Sequence, residues 1–182
     1  PKRVLQLAAV IGRVFLYRVL VAIAAIQTEG RPAAVAWGEG ELDQYLLTLQ
    51  RQEMIRERAR VPELEYIFKH HLTQEAAYNG LLKKDRRVFH RQVAETLERL
   101  YPDRLEEQVG MLAHHWERAE EPEKAIHYLL RAADRAHRLG ASLEAIAFYQ
   151  LALQKAMDLK TTADVFGLHR IHERLGDVYL EI

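Results

Sequence analysis

The chain of 182 residues contains no cysteine. That excludes disulfide bracing, thiolate catalysis and cysteine-bearing zinc sites, and it fits a reducing cytosol. A surplus of charge is missing too: Lys and Arg number 26, Asp and Glu 26. No net field therefore draws the molecule onto nucleic acid or an anionic membrane. Catalytic signatures are absent, with no H-E-x-x-H, no G-x-S-x-G and no paired carboxylates beside an acid/base partner. No phosphate loop of the form G-x-x-x-x-G-K-S/T occurs, because Gly12, Gly30, Gly38 and Gly40 have no following Lys-Ser or Lys-Thr. These residues by themselves should not hydrolyse ATP.

An uninterrupted hydrophobic span is also lacking. Residues 7–26, LAAVIGRVFLYRVLVAIAAI, raise the question, but Arg13 and Arg18 would lie near the bilayer centre at a cost of several kcal/mol. The stretch reads instead as two buried helices broken near Gly12. The chain has no initiator Met and starts directly in a helical pattern, so no signal peptide is visible and a piece of a longer cytoplasmic protein is expected.

What is present is a chain with 49% hydrophobic residues, ample for a packed core. Val4, Leu7, Ala8 and Ile11 recur at helical spacing, and a second helix is expected from Phe15 to Ile26. After the Gly- and Pro-containing loop TEGRPAAVAWGEG, a third helix, ELDQYLLTLQRQ, has an apolar face of Leu42, Leu46, Leu47 and Leu49. Between Met54 and His70 the period becomes two. Ile55, Glu57, Ala59 and Val61 alternate with Arg56, Arg58 and Arg60, Pro62 breaks the run, and Leu64, Tyr66 and Phe68 alternate with Glu65, Ile67 and Lys69. Three helices followed by a β-hairpin is the order of a winged-helix-like domain, expected over residues 1–71.

From Leu72 the pattern is helical, and residues 72–182 are expected to form a helical array. Tyr101-Pro102 ends one helix, and Asp103 with Glu106 resembles a capping box for the next. Three helices then share apolar offsets of 0, 4, 7 and 11, with starts 20 residues apart. They are Leu105, Val109, Leu112, Trp116; Ala125, Leu129, Ala132, Ala136; and Ala145, Tyr149, Ala152, Ala156. Pro122 suits a first helical turn, Gly140 a C-terminal stop and Ser142 an N-cap. One helix plus one turn per period implies antiparallel hairpins stacked into a solenoid. The period slips through DLKTTADVFG, and the last helix, RIHERLGDVYLEI, has no expected partner in the chain. Its exposed face makes a homodimer through that helix an expectation.

Two segments carry a resemblance. EAIAFYQLAL, Glu144 to Leu153, resembles the second helix of a tetratricopeptide repeat through Ala145, Tyr149 and Ala152, and RLGDVYLEI resembles the first helix of another through Leu175, Gly176 and Tyr179. Met157 stands where that motif usually closes with Pro, and the repeats are longer than 34 residues, so the array is tetratricopeptide-like. LQLAAVIGRVF, FKHHLTQEAAYNGLLKKDRRVFH and MLAHHWERAEEPEKAIHYLLRAADRA, in that order, resemble the region C-terminal to the NTPase core of bacterial STAND-type signalling ATPases. The resemblance is especially to those fused to class III adenylyl or guanylyl cyclase domains. The resemblance implies a mainly α architecture: a winged helix, then a helical array that takes a protein or small-ligand effector and works beside an intramolecular NTPase domain. It also implies that ATP and magnesium belong to the absent NTPase portion, with no cofactor held here.

Candidate chemistry weighs against a catalytic or metal site. His70, His71 and Glu75, with His90 as a fourth ligand, could form a metal cluster, but adjacent histidines at a strand-to-helix joint diverge. Glu75 suits the first helical turn, where free backbone N–H groups favour a carboxylate. Phe68, His70, Glu75, Tyr78 and His90 therefore read as a structural joint, with His70 hydrogen-bonding across it. Of His114 and His115, beside inward-facing Trp116, at most one can face a core. His169 and His172, one turn apart, read as a solvated pair. For repeat packing, Trp116, Ala125, Leu129, Ala132, Ala145, Tyr149, Ala152, Gly176 and Tyr179 are the expected contacts. A DNA-binding winged helix remains an alternative, since Arg56, Arg58 and Arg60 could touch phosphates, although Glu41 and Asp43 open the helix that would enter the groove. A passive helical scaffold is the other alternative.

Overall fold

The computed structural model describes residues 2–28, 40–159 and 168–180. Most of the expected loop TEGRPAAVAWGEG and of the slipped segment DLKTTADVFG lies outside the described residues. The protein is mainly helical with one small antiparallel sheet of three strands. Packing divides it into two compact units, Pro1–Thr96 and Leu97–Ile182.

In the first unit, helix α1 (Lys2–Ile11) buries Val4, Leu7, Ala8 and Ile11. It ends at Gly12, whose φ of +149° suits a residue without a side chain. Strand β1 (Val14–Leu16) follows, and α2 runs Tyr17–Thr28. The second helix was expected to start at Phe15, so β1 is a correction. Three residues cannot display a period of two, and β1 exists because β3 offers it an edge about fifty residues on. α3 (Glu41–Arg51) leads to β2 (Ile55–Ala59) and β3 (Glu65–Phe68). The expected hairpin is thus two-thirds of a sheet ordered β1-β3-β2, with Phe15 opposite Tyr66 and Arg56 opposite Ile67. The register shifts between Glu57 and Ala59, which bends the outer strand. Phe15, Phe68 and Ile55, each 1% exposed, are buried in this unit, as are Leu46, Leu49, Val19, Leu20 and Ile23.

Helix α4 (His71–Asn79) was expected to open the helical array, but it packs on α1 within the first unit. Gln74 Nε2 donates to the Ala9 carbonyl at 3.3 Å, and Gln6 Nε2 donates to the Gly80 carbonyl at 3.3 Å. The division between units falls inside α5 (Lys83–Leu100) rather than after residue 71.

In the second unit, α6 (Leu105–Arg118), α7 (Pro122–Arg138), α8 (Ser142–Asp158) and α9 (Leu168–Leu180) pack each against the next. The twenty-residue offset survives in the turns. After α7, Gly140 N–H donates to His137 O and Ala141 N–H to Ala136 O, both at 2.9 Å. After α6, Glu120 N–H donates to Glu117 O at 3.0 Å and Glu121 N–H to Trp116 O at 3.2 Å. Both are Schellman turns, with Gly140 (φ +72°) and Glu120 (φ +56°) as the left-handed residue. Pro122 takes the first position of α7 as expected. Ser142 is the first residue of α8 and not its cap. Nor does Asp103 cap α6: Pro102–Arg104 form a 3₁₀ turn, and α6 begins without a side-chain cap.

α9 has a partner. Ile171 (2% exposed) and Val178 (0%) join Ala133, Ala136, Ala145, Ile146 and Tyr149 in one cluster. That overturns the expectation of an unpartnered helix and the ground for a dimer through it.

The matched turns define a paired test. Glu120→Gly should raise stability by about 1 kcal/mol by relieving a left-handed non-glycine residue. Gly140→Ala should lower it by a similar amount, because a Cβ there meets nothing within 4 Å and only the backbone term remains. Urea midpoints that move in the same direction for both variants would contradict the turn assignment.

Candidate interaction surfaces

The strand-to-helix joint spreads its residues apart. Phe68 ends β3 in the core, its ring 5.7 Å from that of Phe15. His70 is exposed and extended (φ −122°, ψ 132°) and makes no side-chain cap hydrogen bond; its carbonyl instead accepts from the Thr73 and Gln74 amides. The bond expected from its imidazole is thus made by backbone. Glu75 stands in the second turn, because α4 begins at His71, and its Oε2 is 4.0 Å from His71 Nδ1 on the surface. Tyr78 and His90 do meet, Oη to Nε2 at 3.0 Å, with His90 1% exposed. Arg86 lies 4.9 Å from the Tyr78 ring centre. One imidazole is thus committed to a tyrosine while two face solvent. Among the described residues no three His, Asp or Glu side chains gather in a metal-holding geometry. His169 and His172 are both exposed on α9.

The repeat helices show which side chains are spent on packing. Trp116, Ala125, Leu129, Ala132, Ala145, Tyr149 and Ala152 are all no more than 3% exposed. Of the adjacent histidines, His115 is buried and His114 exposed. Gly176 and Tyr179 depart from expectation. A Cβ at Gly176 would meet nothing within 4 Å, and Tyr179 is 52% exposed, its hydroxyl accepting from Gln150 Nε2 at 2.9 Å. The residues of α9 that pack are Ile171, Leu175 and Val178.

Sequence reading missed the carboxylates that clasp these helices. Glu98 Oε1, at the end of α5, accepts from Trp116 Nε1 at 3.0 Å and from Tyr128 Oη at 2.8 Å. Asp134 on α7 accepts from Tyr149 Oη at 2.5 Å and pairs with Arg174 of α9. Glu106 on α6 pairs with Arg131 at 2.5 Å and Arg138 at 3.3 Å. An inward Trp or Tyr needs a partner for its polar tip, which was the available signal, but nothing in the sequence says which carboxylate supplies it. Burial and the hydrogen bond to Glu98 push the Tyr128 hydroxyl up to about 12. The same two causes, with Asp134 as acceptor, raise Tyr149.

On the sheet side, the basic row is largely paired within its own surface. Arg58 reaches Glu65 at 3.2 Å and Arg60 is bidentate on Glu57, while Arg56 is exposed. At the start of α3, Tyr17 Oη donates to Asp43 Oδ1 at 2.6 Å and Tyr45 Oη to Glu41. The hydrogen bond to Asp43 pushes Tyr17 up to about 12. Among the described residues a cleft of about 290 Å³ lies in the second unit, lined by Glu117, Glu120, Pro122, Ala125, Lys155, Asp158 and Leu159. Lys155 Nζ bridges to Glu117 Oε1 at 3.1 Å within it. No described helix is long and apolar enough to cross a membrane.

The Tyr128 clasp implies a pH signature. A hydroxyl raised in the folded state stabilises the fold below its unfolded value near 10 and loses that contribution as pH climbs through about 12. Unfolding free energy should therefore decline over that window, and less steeply in Tyr128→Phe. Equal slopes for the two proteins would show that the clasp does not favour the neutral phenol.

Comparisons with known proteins give little to set beside this geometry. No protein-family model matches the chain, and no solved structure matches it. An uncharacterized protein of Rhizobium meliloti is 35% identical over 97 residues, which is 53% of this chain and 9% of that relative. The match thus spans less than a tenth of the relative's length.

Proposed function

We propose that the chain is a non-catalytic regulatory and interaction module of a longer cytoplasmic signal-transduction ATPase, in which a winged helix couples a tetratricopeptide-like array to an NTPase core. The observation that carries the reading is the order α1-β1-α2-α3-β2-β3 with its sheet ordered β1-β3-β2, followed by helices in a twenty-residue register. The first supports reading that part as a winged helix, and the second supports reading the rest as a solenoid whose helices bury their faces against neighbours. A multidomain parent is supported by the relative, whose length is on the order of a thousand residues, since 97 residues make 9% of it. In this reading ATP and magnesium act in the parent's NTPase portion. An effector, protein or small ligand, engages the array and changes how the winged helix packs on that core, which requires different contacts in two states.

The DNA-binding alternative is disfavoured by charge. Glu41 and Asp43 sit in the first turn of α3, where a recognition helix would meet phosphates, and Arg58 and Arg60 already have carboxylate partners.

Two experiments test the reading. With random duplex DNA at about 50 mM salt, fluorescence anisotropy should show no micromolar binding; salt-sensitive binding lost on Arg56→Ala/Arg58→Ala/Arg60→Ala would favour a DNA-binding protein. In the parent, removing residues 97–182 should change ATP affinity by about fivefold or more. Unchanged affinity would leave a passive scaffold.

A further inference from the structure

Helix α5 carries its charge against the preference of its own backbone. Its first five residues are Lys83, Lys84, Asp85, Arg86 and Arg87. Free N–H groups and the helix dipole favour acids at that end, yet four of the five positions are cationic. Lys84, Arg87, Val88 and Arg91 are exposed at spacings of 3, 4 and 7, which places them on one face. Val88 is 52% exposed and Leu82, just before the helix, 62%. The opposite face of α5 is already used, with Phe89, Val93 and Leu97 no more than 3% exposed.

A complementary surface lies in the same molecule. Glu117, Glu120, Glu121 and Glu123 outnumber the exposed Arg118 and Lys124 in the turn between α6 and α7, with Glu120 and Glu123 exposed, Glu117 bridged to Lys155 and Asp158 lining the adjoining cleft. The segregation runs through the whole chain. Residues 1–96 contain 15 Lys and Arg against 11 Asp and Glu, and residues 97–182 contain 11 against 15. A neutral protein is thus +4 in one unit and −4 in the other.

From this charge complementarity we infer that two copies of the chain associate, the basic face of α5 in one against the acidic α6–α7 turn of the other, with Val88 and Leu82 buried at the contact. Opposite patches of this kind steer encounter and fix register more than they raise affinity, so the association is weak and salt-sensitive. A lipid surface fits less well, because membrane-binding helices insert a broad apolar face and that of α5 is inside the protein. A nucleic acid would make no use of Val88 and Leu82. The inference is independent of the regulatory reading, since it uses neither an NTPase core nor an effector.

Sedimentation equilibrium of the chain tests it. At about 30 mM salt the mass should rise with concentration above the 21.1 kDa of one copy, and at about 500 mM it should return to that value. Lys84→Glu/Arg87→Glu and Glu121→Lys/Glu123→Lys should each weaken association about tenfold, and mixing the two variants should restore it to within about threefold. Far-ultraviolet circular dichroism checks that both variants are folded. A single-copy mass at both salt concentrations overturns the inference, as does failure of the mixture to recover. So does a salt-dependent sedimentation coefficient at constant mass, which would mean that the patches meet within one copy. Binding of Lys84 and Arg87 to anionic vesicles or duplex DNA without self-association would reassign the surface to that ligand.

Discussion

How closely two helix axes can approach is set by the side chains between them, and the second unit is built on that limit. Half of its twelve register positions are alanine: Ala125, Ala132, Ala136, Ala145, Ala152 and Ala156, each no more than 6% exposed. Alanine removes little rotamer freedom on burial and leaves room for large neighbours. Trp116, Tyr149 and Leu112, no more than 1% exposed, are among the largest side chains fully buried. Fully burying a residue of that size stabilises by roughly 1.5–3 kcal/mol. The twenty-residue register follows, because each helix must bring its small positions back to the same face after every turn. The matched left-handed residues Glu120 and Gly140 are the consequence at the turns.

Close approach creates a second requirement. Tyr149 and Trp116 are buried, but each carries a polar atom, and leaving such an atom without a partner costs about 1–3 kcal/mol. Glu98 and Asp134 meet that need, each accepting bonds from two other helices. Two carboxylates that the sequence did not single out, Glu98 and Asp134, are therefore engaged in holding helices in register. A carboxylate that already accepts two or more hydrogen bonds, one of them from arginine in the case of Asp134, is poorly placed to act as a base.

What could be read in advance follows from the range of each interaction. The helices of the repeat were legible because amphipathic spacing is local, and so were Pro122 at a helix start and Gly140 at a helix end. The hairpin strands were legible from alternation around Pro62. β1 was not, since its formation depends on pairing Val14 with Ile67. The packing of α4 on α1 and of α9 on α8 was hidden for the same reason. At the joint, composition suggested a cluster, but direction decided otherwise: His71 and Glu75 project to solvent while His90 turns inward to Tyr78. The expected repeat positions Gly176 and Tyr179 fell on the wrong side of α9, because Ile171, Leu175 and Val178 form its apolar stripe at offsets of 0, 4 and 7. Motif matching ranked the glycine and tyrosine above that stripe; periodicity would have chosen correctly.

These constraints bear on where specificity can lie. If the interior polar groups are consumed by clasps, the side chains left to recognise another molecule are those whose position the fold does not require. Lys84 and Val88 on α5, Glu123 on α7 and Asp158 at the end of α8 are of that kind, none of them buried. An exposed residue is under no packing constraint, so a cation at a helix N-terminus, where the backbone favours an acid, needs a reason outside the helix. The same reasoning separates the two arginine groups of the first unit. Arg58 and Arg60 are accounted for by Glu65 and Glu57 on their own sheet, whereas the concentration of positive charge at the start of α5 opposes the local field. Arg86 is held in place, donating to the Leu81 carbonyl at 3.1 Å and lying over the Tyr78 ring, so Lys84, exposed at the same end, is the cation of that group that the proposed contact uses first.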